Sequence, residues 1–385
     1  MTIEELHRDE SARRQAFPVC EKSVFLAHAG VSPIPHCVSE AMARYAAACA
    51  EGDQENVFPS GLMLETRKLA AGLLECLPEE IALLGPTSLG LSLVASGLDW
   101  QAGDNVVFYA DDYPANAIPW MALTRQKVEL RRIQPKQLGL ITTETIEPLL
   151  DKRTRLVALA SAHFVSGYRI DLEAIGRLAK SWGALFCVDG IQTLGALRTT
   201  VGHADFLAAD SHKWLLGPCA AGIFFVRREA QEKLRPILLG ADNVICRNYI
   251  TPPNIEFRRH AGRYEAGSPN LMGIVGLHAA LSFLKEYDHS KIEKTVLAHA
   301  RCLREGLRKR GCELASETDD GLSGITSFRR EDVDMSALHR KLAGAHIITS
   351  LRQTRDGRWW IRCSPHFYNT QGELDRLLDL VESKR

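Results

Sequence analysis

Between about residues 80 and 230 the chain repeats one pattern: a short run that is apolar on both faces, followed by a segment with helical spacing. The runs are EEIALLG, NVVFYAD, VELRRI, RLVALAS, ALFCVDG and GIFFVRR, and SLGLSLVASGL and PANAIPWMALTRQ are two of the segments between them. A strand without a polar face must be covered on both sides, and a helix after each strand provides that cover. The alternation therefore predicts an α/β domain around a mostly parallel sheet. It also predicts where chemistry sits, because ligands of open α/β sheets bind at the carboxyl ends of the strands.

After about residue 270 the pattern changes. Helical spacing covers 271–287 and 291–310, followed by a strand-like GITSFRR, a helix near 335–343, the aromatic GRWWIRCS and a last helix near 372–383. With 385 residues there is room for two units. We expect a large cofactor-binding α/β domain over 21–270, and a small α+β domain made of 1–20 and 271–385. Lys plus Arg and Asp plus Glu number 47 each. That balance supplies no general attraction to nucleic acid or acidic membrane. No apolar run approaches the roughly 18 residues of a membrane span. The start, MTIEELHRDESARRQAF, lacks the apolar stretch of a signal peptide. Ten cysteines without a CxxC pair read as reduced thiols, so a cytoplasmic location is expected.

The strand ends carry the candidate residues. Asp189 closes ALFCV, followed by Gly190 and Gln192. A carboxylate there is costly unless paired, and its bland alternative is a turn or helix cap. FLAAD is followed by Ser211, His212 and Lys213, then the apolar WLL. Burial lowers a lysine's proton affinity and makes the amine nucleophilic. Thr87 and Ser88 open a helix after EEIALLG, a geometry that caps the helix and also binds phosphate. Tyr113 follows NVVFYAD and offers a flat ring. Pyridoxal phosphate needs a lysine for its aldehyde, an acid for its ring nitrogen, a phosphate cradle and a stacking ring. Each occurs once, at a strand end. Other cofactors lack their signatures: no GxGxxG follows a strand and no GxxxxGK[ST] is present. His203, Asp205, Asp210 and His212 do not make a metal site, because a strand separates Asp205 from Asp210.

In this combination the chain resembles the class V aminotransferase family of fold-type I pyridoxal-phosphate enzymes, which includes cysteine desulfurases, kynureninases and isopenicillin N epimerases. The resemblance rests on TSLGLSLVA, YPANAIPW, VDGIQTLGAL, DSHKWLLGP, RYEAGSPN and IRCSPHFYNT, in that order. It implies a mostly parallel seven-stranded sheet and a smaller C-terminal domain. It implies pyridoxal 5'-phosphate as cofactor, joined as a Schiff base to Lys213, which then moves the substrate α-proton. Asp189 would hold the ring nitrogen protonated, Gln192 the ring hydroxyl, Tyr113 the ring face, and Thr87, Ser88 and His212 the phosphate. RYEAGSPN resembles a segment donated across a dimer interface, so Ser268 would reach the partner's phosphate in a homodimer with shared sites. Arg362 would bind the carboxylate of a small amino-acid substrate, for which a guanidinium fork is suited. His28, His163 and Arg169 are expected in the same pocket.

The chain departs from that family at two telling places. Asp210 stands where many relatives have a phosphate-binding serine, and an acid cannot bind a dianion directly. The segment equivalent to the desulfurase cysteine loop, TSLRQTRDG at 349–357, contains no cysteine. The expected order of reactions is therefore transamination first, a lyase or epimerase second, cysteine desulfuration behind them, and a cofactor-binding protein without turnover last.

Overall fold

The computed structural model describes residues 2–381. The strands in chain order are β1 (Val24–Phe25), β2 (Ile81–Leu84), β3 (Asn105–Phe108), β4 (Glu129–Arg132), β5 (Thr154–Ala160), β6 (Leu185–Asp189), β7 (Phe206–Asp210), β8 (Gly222–Val226), β9 (Glu313–Leu314), β10 (Thr326–Arg329), β11 (Ile347–Ile348), β12 (Ser350–Gln353) and β13 (Trp359–Cys363). Seven of them form one sheet in the order β2-β8-β7-β6-β5-β3-β4. The pairs from β7 through β6, β5 and β3 to β4 are parallel, while β8 runs antiparallel to both β7 and β2. Reversing twice leaves β2 pointing the same way as β7. The carboxyl ends of β2, β3, β5, β6 and β7 therefore open on one edge of the sheet.

Pleating explains the two-sided apolar runs. Successive side chains alternate faces. Val107, Val157, Phe186, Val188, Leu207, Ile223 and Phe225 fill one core layer. Val106, Phe108, Leu156, Leu185, Cys187, Phe206, Phe224 and Val226 fill the other. β4 is the exception, partly exposed along ELRR, as suits a sheet edge.

The C-terminal part is a four-stranded antiparallel sheet, β12-β13-β10-β9, with its own core of Leu303, Leu307, Phe328, Ile361 and Leu377. Val24 and Leu26 belong to that core, because β1 pairs in parallel with β11. The helix Leu271–Lys285 packs the other way, with Ile274, Leu277 and Leu281 in the first layer of the large sheet. The amino-terminal helices Ile3–Arg8 and Glu10–Ala16 do the same, the first through Ile3 and Leu6 and the second through Ala16, and Phe17 stacks on Tyr368 at 3.8 Å between centroids. The two sheets thus share material on both sides of the boundaries that composition suggests. Among the described residues no helix is long and apolar enough to cross a membrane.

Candidate active site

At the open edge of the large sheet lies a cavity of about 490 Å³, within the size range of small-molecule sites. It is lined by Thr87, Ser88, Tyr113, Asp189, Gln192, His212, Lys213 and Arg362, among others. These residues are spread over 276 positions of sequence (87 to 362) and meet because each follows or sits on a strand that ends here.

Lys213 sits on the 211–221 loop between β7 and β8. Its side chain is 7% exposed, with Nζ 5.4 Å from the centroid of the Tyr113 ring. Burial pulls the amine down to about 8, with the carboxylate of Asp189 opposing and Arg362 and Arg352 adding to the fall. A lysine in that range supplies appreciable free amine near neutral pH. Asp189, on the end of β6, is 3% exposed and accepts one hydrogen bond on Oδ1 from the Ile191 N–H at 3.0 Å. Burial raises it to about 6, against that hydrogen bond and the attraction of Lys213. No donor among the described residues is bonded to its Oδ2, so that oxygen is available to a ligand.

The loop carrying Lys213 is organised by Asp210. Its Oδ1 accepts from the N–H groups of Ser211 (2.8 Å) and Ala221 (3.1 Å), and its Oδ2 from Ala220 N–H (3.0 Å) and His212 Nδ1–H (2.8 Å). Leu216 and Ala220 hold positive φ of 58° and 59°, a conformation side chains other than glycine adopt at a cost. Four converging donors offset it. The acid that stands in the serine position thus turns away from the phosphate side and orients His212 instead. Gly195 (φ 100°) lets the turn after Asp189 approach this loop; a Cβ there would lie 2.5 Å from the Trp214 carbonyl oxygen.

The helix Thr87–Gly97 points its amino terminus at the cavity, with Pro86 as a cap that makes no side-chain hydrogen bond. Its first N–H groups stay available for an anion. Thr87 Oγ1 accepts from Asp210 N–H at 2.9 Å, which leaves its own proton free to donate. Asp112 accepts from Tyr113 N–H and from Asn116 Nδ2, fixing the start of the turn that presents Tyr113. Burial, with Asp189 nearby, pushes Asp112 up to about 7. Gln192 is engaged at both ends, donating to Ala29 O (3.3 Å) and accepting from Trp214 Nε1 (3.4 Å).

Arg362 reaches the cavity from the C-terminal sheet, where β13 places it opposite Ser327 and Ser350. It is 1% exposed, donates from Nη1 to Phe164 O (2.7 Å) and from Nη2 to Ser350 Oγ (3.4 Å), and leaves Nε without a partner. Burial, then the like charge of Arg352, lowers it to about 9, still protonated at neutral pH.

Three expected residues stand elsewhere. His28 is fully buried beneath the cavity between Ser364 O and the Tyr368 hydroxyl, both at 2.8 Å, while its neighbours Ala27, Ala29, Gly30 and Val31 line the wall. His163 receives the Ser166 N–H on Nδ1 and donates from Nε2 to Asp111 O; burial lowers it to about 4, and Phe164 takes the lining position. Arg169 pairs with Glu293 at 2.7 Å and lines a different cleft. In each case the ring nitrogens or the guanidinium are already satisfied by protein groups. Ser268 is exposed and bonds Glu55 Oε1 at 3.4 Å, outside the cavity of its own chain. Arg352, Ser350 and Ile348 line the cavity without having been singled out, because only the register of β12 on β13 turns the first two toward Arg362, and only the pairing of β11 with β1 brings Ile348 there. Among the described residues no group of acids, histidines and cysteines could hold a metal ion.

The cavity fits pyridoxal phosphate on its own terms. It combines a buried amine of lowered proton affinity, a carboxylate with an unused oxygen, a half-exposed aromatic face, and a helix terminus with free donors beside His212.

Residues 24–377 match the family model described as aminotransferase class V. A probable cysteine desulfurase of Methanothermobacter thermautotrophicus is 28% identical, covering 97% of this chain and 98% of that protein. The uncharacterized aminotransferase YcbU of Bacillus subtilis is 27% identical over 96% of this chain and 97% of its own. In fold, the chain is similar to the apo cysteine desulfurase of Thermococcus onnurineus NA1, with TM-score 0.87, 24% identity and 96% of each chain covered.

Proposed function

This chain belongs to the class V aminotransferase family, and from that premise we propose that it removes the α-proton of a small α-amino acid of the cysteine type and then breaks the bond from Cβ to sulfur. It is a pyridoxal 5'-phosphate enzyme, of transferase or lyase type. Bound pyridoxal phosphate supplies an aldehyde that condenses with an amine and a protonated ring that withdraws electrons from the bond to be broken. Lys213 Nζ would hold the aldehyde carbon of the cofactor and is placed to accept the substrate's α-proton. Asp189 keeps a proton at the ring nitrogen. Tyr113 would cover the ring face, Gln192 would stand on the side of its hydroxyl, and Thr87, Ser88, His212 and the helix terminus would hold the phosphate. Arg362 binds the α-carboxylate, using the Nε edge it leaves free. The proposal includes a homodimer in which Ser268 of a second copy completes the phosphate site.

The observation that carries the reading is the Lys213 amine, 7% exposed and lowered to about 8, between Asp189 and Arg362. Sulfur chemistry, which the sequence placed behind transamination, moves forward because the full-length relative from Methanothermobacter thermautotrophicus is called a probable cysteine desulfurase. The destination of the sulfur differs from a thiol in this pocket, because no cysteine is among its lining residues. Cys363 is fully buried beside Arg362 and burial pushes its thiol up to about 12. The acceptor is therefore a thiol from outside this protomer's pocket, or solvent, to which sulfide leaves with pyruvate and ammonia as the other products. The missing thiol favours transamination as the second reading, in keeping with the aminotransferase name of the Bacillus subtilis relative.

The test supplies L-cysteine with and without an added thiol, and separately with a keto acid. Sulfide with alanine, or sulfide with pyruvate and ammonia, supports carbon–sulfur cleavage and identifies its form. Amine transfer to the keto acid without sulfide release replaces it with transamination. A protein that shows no change in its cofactor absorbance with any α-amino acid refutes both.

A further inference from the structure

Close behind the Asp189 end of the cavity stands a second buried acid. Asp112 is not among the residues that line the cavity. Its place follows from the sheet. Asp112 is four residues past the end of β3, and β5 lies between β3 and β6. The last residue of β5, Ala160, is paired in register with Asp189. Asp112 accepts from the Ala160 N–H, so its carboxylate lies over the end of the strand next to Asp189. The rest of its surroundings are fixed amides. Tyr113 N–H donates to Oδ1 at 2.7 Å and Asn116 Nδ2–H to Oδ2 at 3.0 Å. Trp120 Nε1–H donates to Asn116 Oδ1 at 3.1 Å and so sets which end of that amide meets the acid. Asn116 and Trp120 are buried too. Among the described residues no cation is hydrogen-bonded to Asp112.

A turn that only presents Tyr113 needs no charge here, because asparagine or serine accepts from a backbone N–H without a charge to bury. A buried carboxylate calls for a positive partner. Burial lowers the proton affinity of Lys213, and the two carboxylates that oppose it are Asp189 and Asp112. In the empty protein two acids therefore stand against one ammonium, and Asp112 is raised by burial and then by the charge of Asp189. Two neighbouring buried acids with one cation in range favour keeping a shared proton. A protonated ring nitrogen at Asp189 makes the count two cations against two carboxylates.

We propose that Asp112 is a positioning residue for the cofactor ring: the acid pair hands its shared proton to the ring nitrogen, and Asp112, left ionised behind Asp189, strengthens the hold on that protonated nitrogen. This rests on the reading that the cavity takes pyridoxal phosphate with its ring nitrogen at Asp189. Asp112 acts through Asp189 and through the field it adds, since it does not line the cavity itself. The Asn116–Trp120 chain keeps its carboxylate aimed across β5 whether or not the site is filled.

The test uses two ligands that form no Schiff base: pyridoxine 5'-phosphate, and the same molecule with C–H in place of the ring nitrogen. Calorimetric titration of the full-length protein, stripped of cofactor, gives the ratio of their affinities. Wild type should prefer the nitrogen-bearing ligand by at least about tenfold, the range for a hydrogen bond between charged groups. Asp112→Asn should cut that preference at least about fivefold, since a neighbouring charge in a buried site acts with little screening. Asp112→Glu, which keeps the charge, should retain part of it. Damage to the Tyr113 turn alone weakens both ligands equally and leaves the ratio unchanged. If the variants do not fold, infrared difference spectra of wild type with isotope-labelled aspartate decide, at about pH 6, where the pair holds close to one proton. The nitrogen-bearing ligand should remove a protonated-carboxyl band that its C–H counterpart leaves in place. A ratio that survives in Asp112→Asn, or a band that persists with both ligands, overturns the inference alone. If wild type binds both ligands equally, the role of Asp189 at the ring nitrogen falls with it, and if neither binds, so does the cofactor reading beneath them.

Discussion

Replacing Lys213 with methionine should make the cofactor-free protein more stable at neutral pH. The amine is pulled from its ordinary value of 10.5 to about 8, chiefly by burial. In the unfolded chain it is protonated up to the ordinary value. Between about pH 8 and 10.5 the unfolded state therefore binds more protons than the folded one, and stability rises with pH across that window. Below pH 8 the penalty is complete. At 1.36 kcal/mol per pH unit it amounts to about 3 kcal/mol. Methionine fills the same space with an unbranched, uncharged chain and opens no cavity. The attraction of Asp189, which opposes the fall, is already contained in that value. The net gain expected at pH 7 is then about 3 kcal/mol, fading by pH 10 to 10.5. Urea midpoints of wild type and Lys213→Met, both stripped of cofactor, at pH 7 and pH 10 would measure it, because effects of alkali on other groups cancel in the difference. A variant less stable than wild type at pH 7, or a gain of equal size at both values, would show that burial of this amine is not what strains the site.

Asp189→Asn should keep the cofactor-free protein as stable as wild type or more so, since burial already raises that carboxyl to about 6. Turnover should nevertheless drop at least about 100-fold, because an amide cannot hold a protonated ring nitrogen; normal turnover would remove the electron-withdrawing role. Arg362→Leu should weaken binding of an α-amino acid by about 10- to 100-fold in a spectral titration, the range for a hydrogen bond to a charged group. Asp210→Asn puts an amide against donors that now meet a carboxylate, so it should lower stability by about 2–3 kcal/mol in urea melts and speed loss of cofactor on dialysis. Because Asp210 sits below its ordinary value in the folded chain, with the His212 bond the first favourable cause after the opposing burial, its contribution is present at neutral pH and is lost as pH falls through that lowered value. An unchanged acid melt in Asp210→Asn would count against this account of the loop.

Much of this protein follows from local sequence. Runs apolar on both faces require a covered parallel sheet, and the parallel pairs β3–β7 and their common edge are the outcome. Asp189, Lys213, Thr87 and Tyr113 could be picked out because each stands at a strand end or a few residues past one, where direction along the chain fixes position in space. His28, His163 and Arg169 stand in similar places and fail, since whether a polar side chain turns to the cavity or to a neighbour depends on partners brought from far along the chain: Tyr368 for His28, Glu293 for Arg169. Arg352 shows the reverse. Nothing in TSLRQTRDG marks it, and only the pairing of Ser350 with Arg362 places it beside Arg362. Periodicity is a property of neighbours in sequence and determines the layers. Register between distant strands is a tertiary choice, and it decides which charges meet.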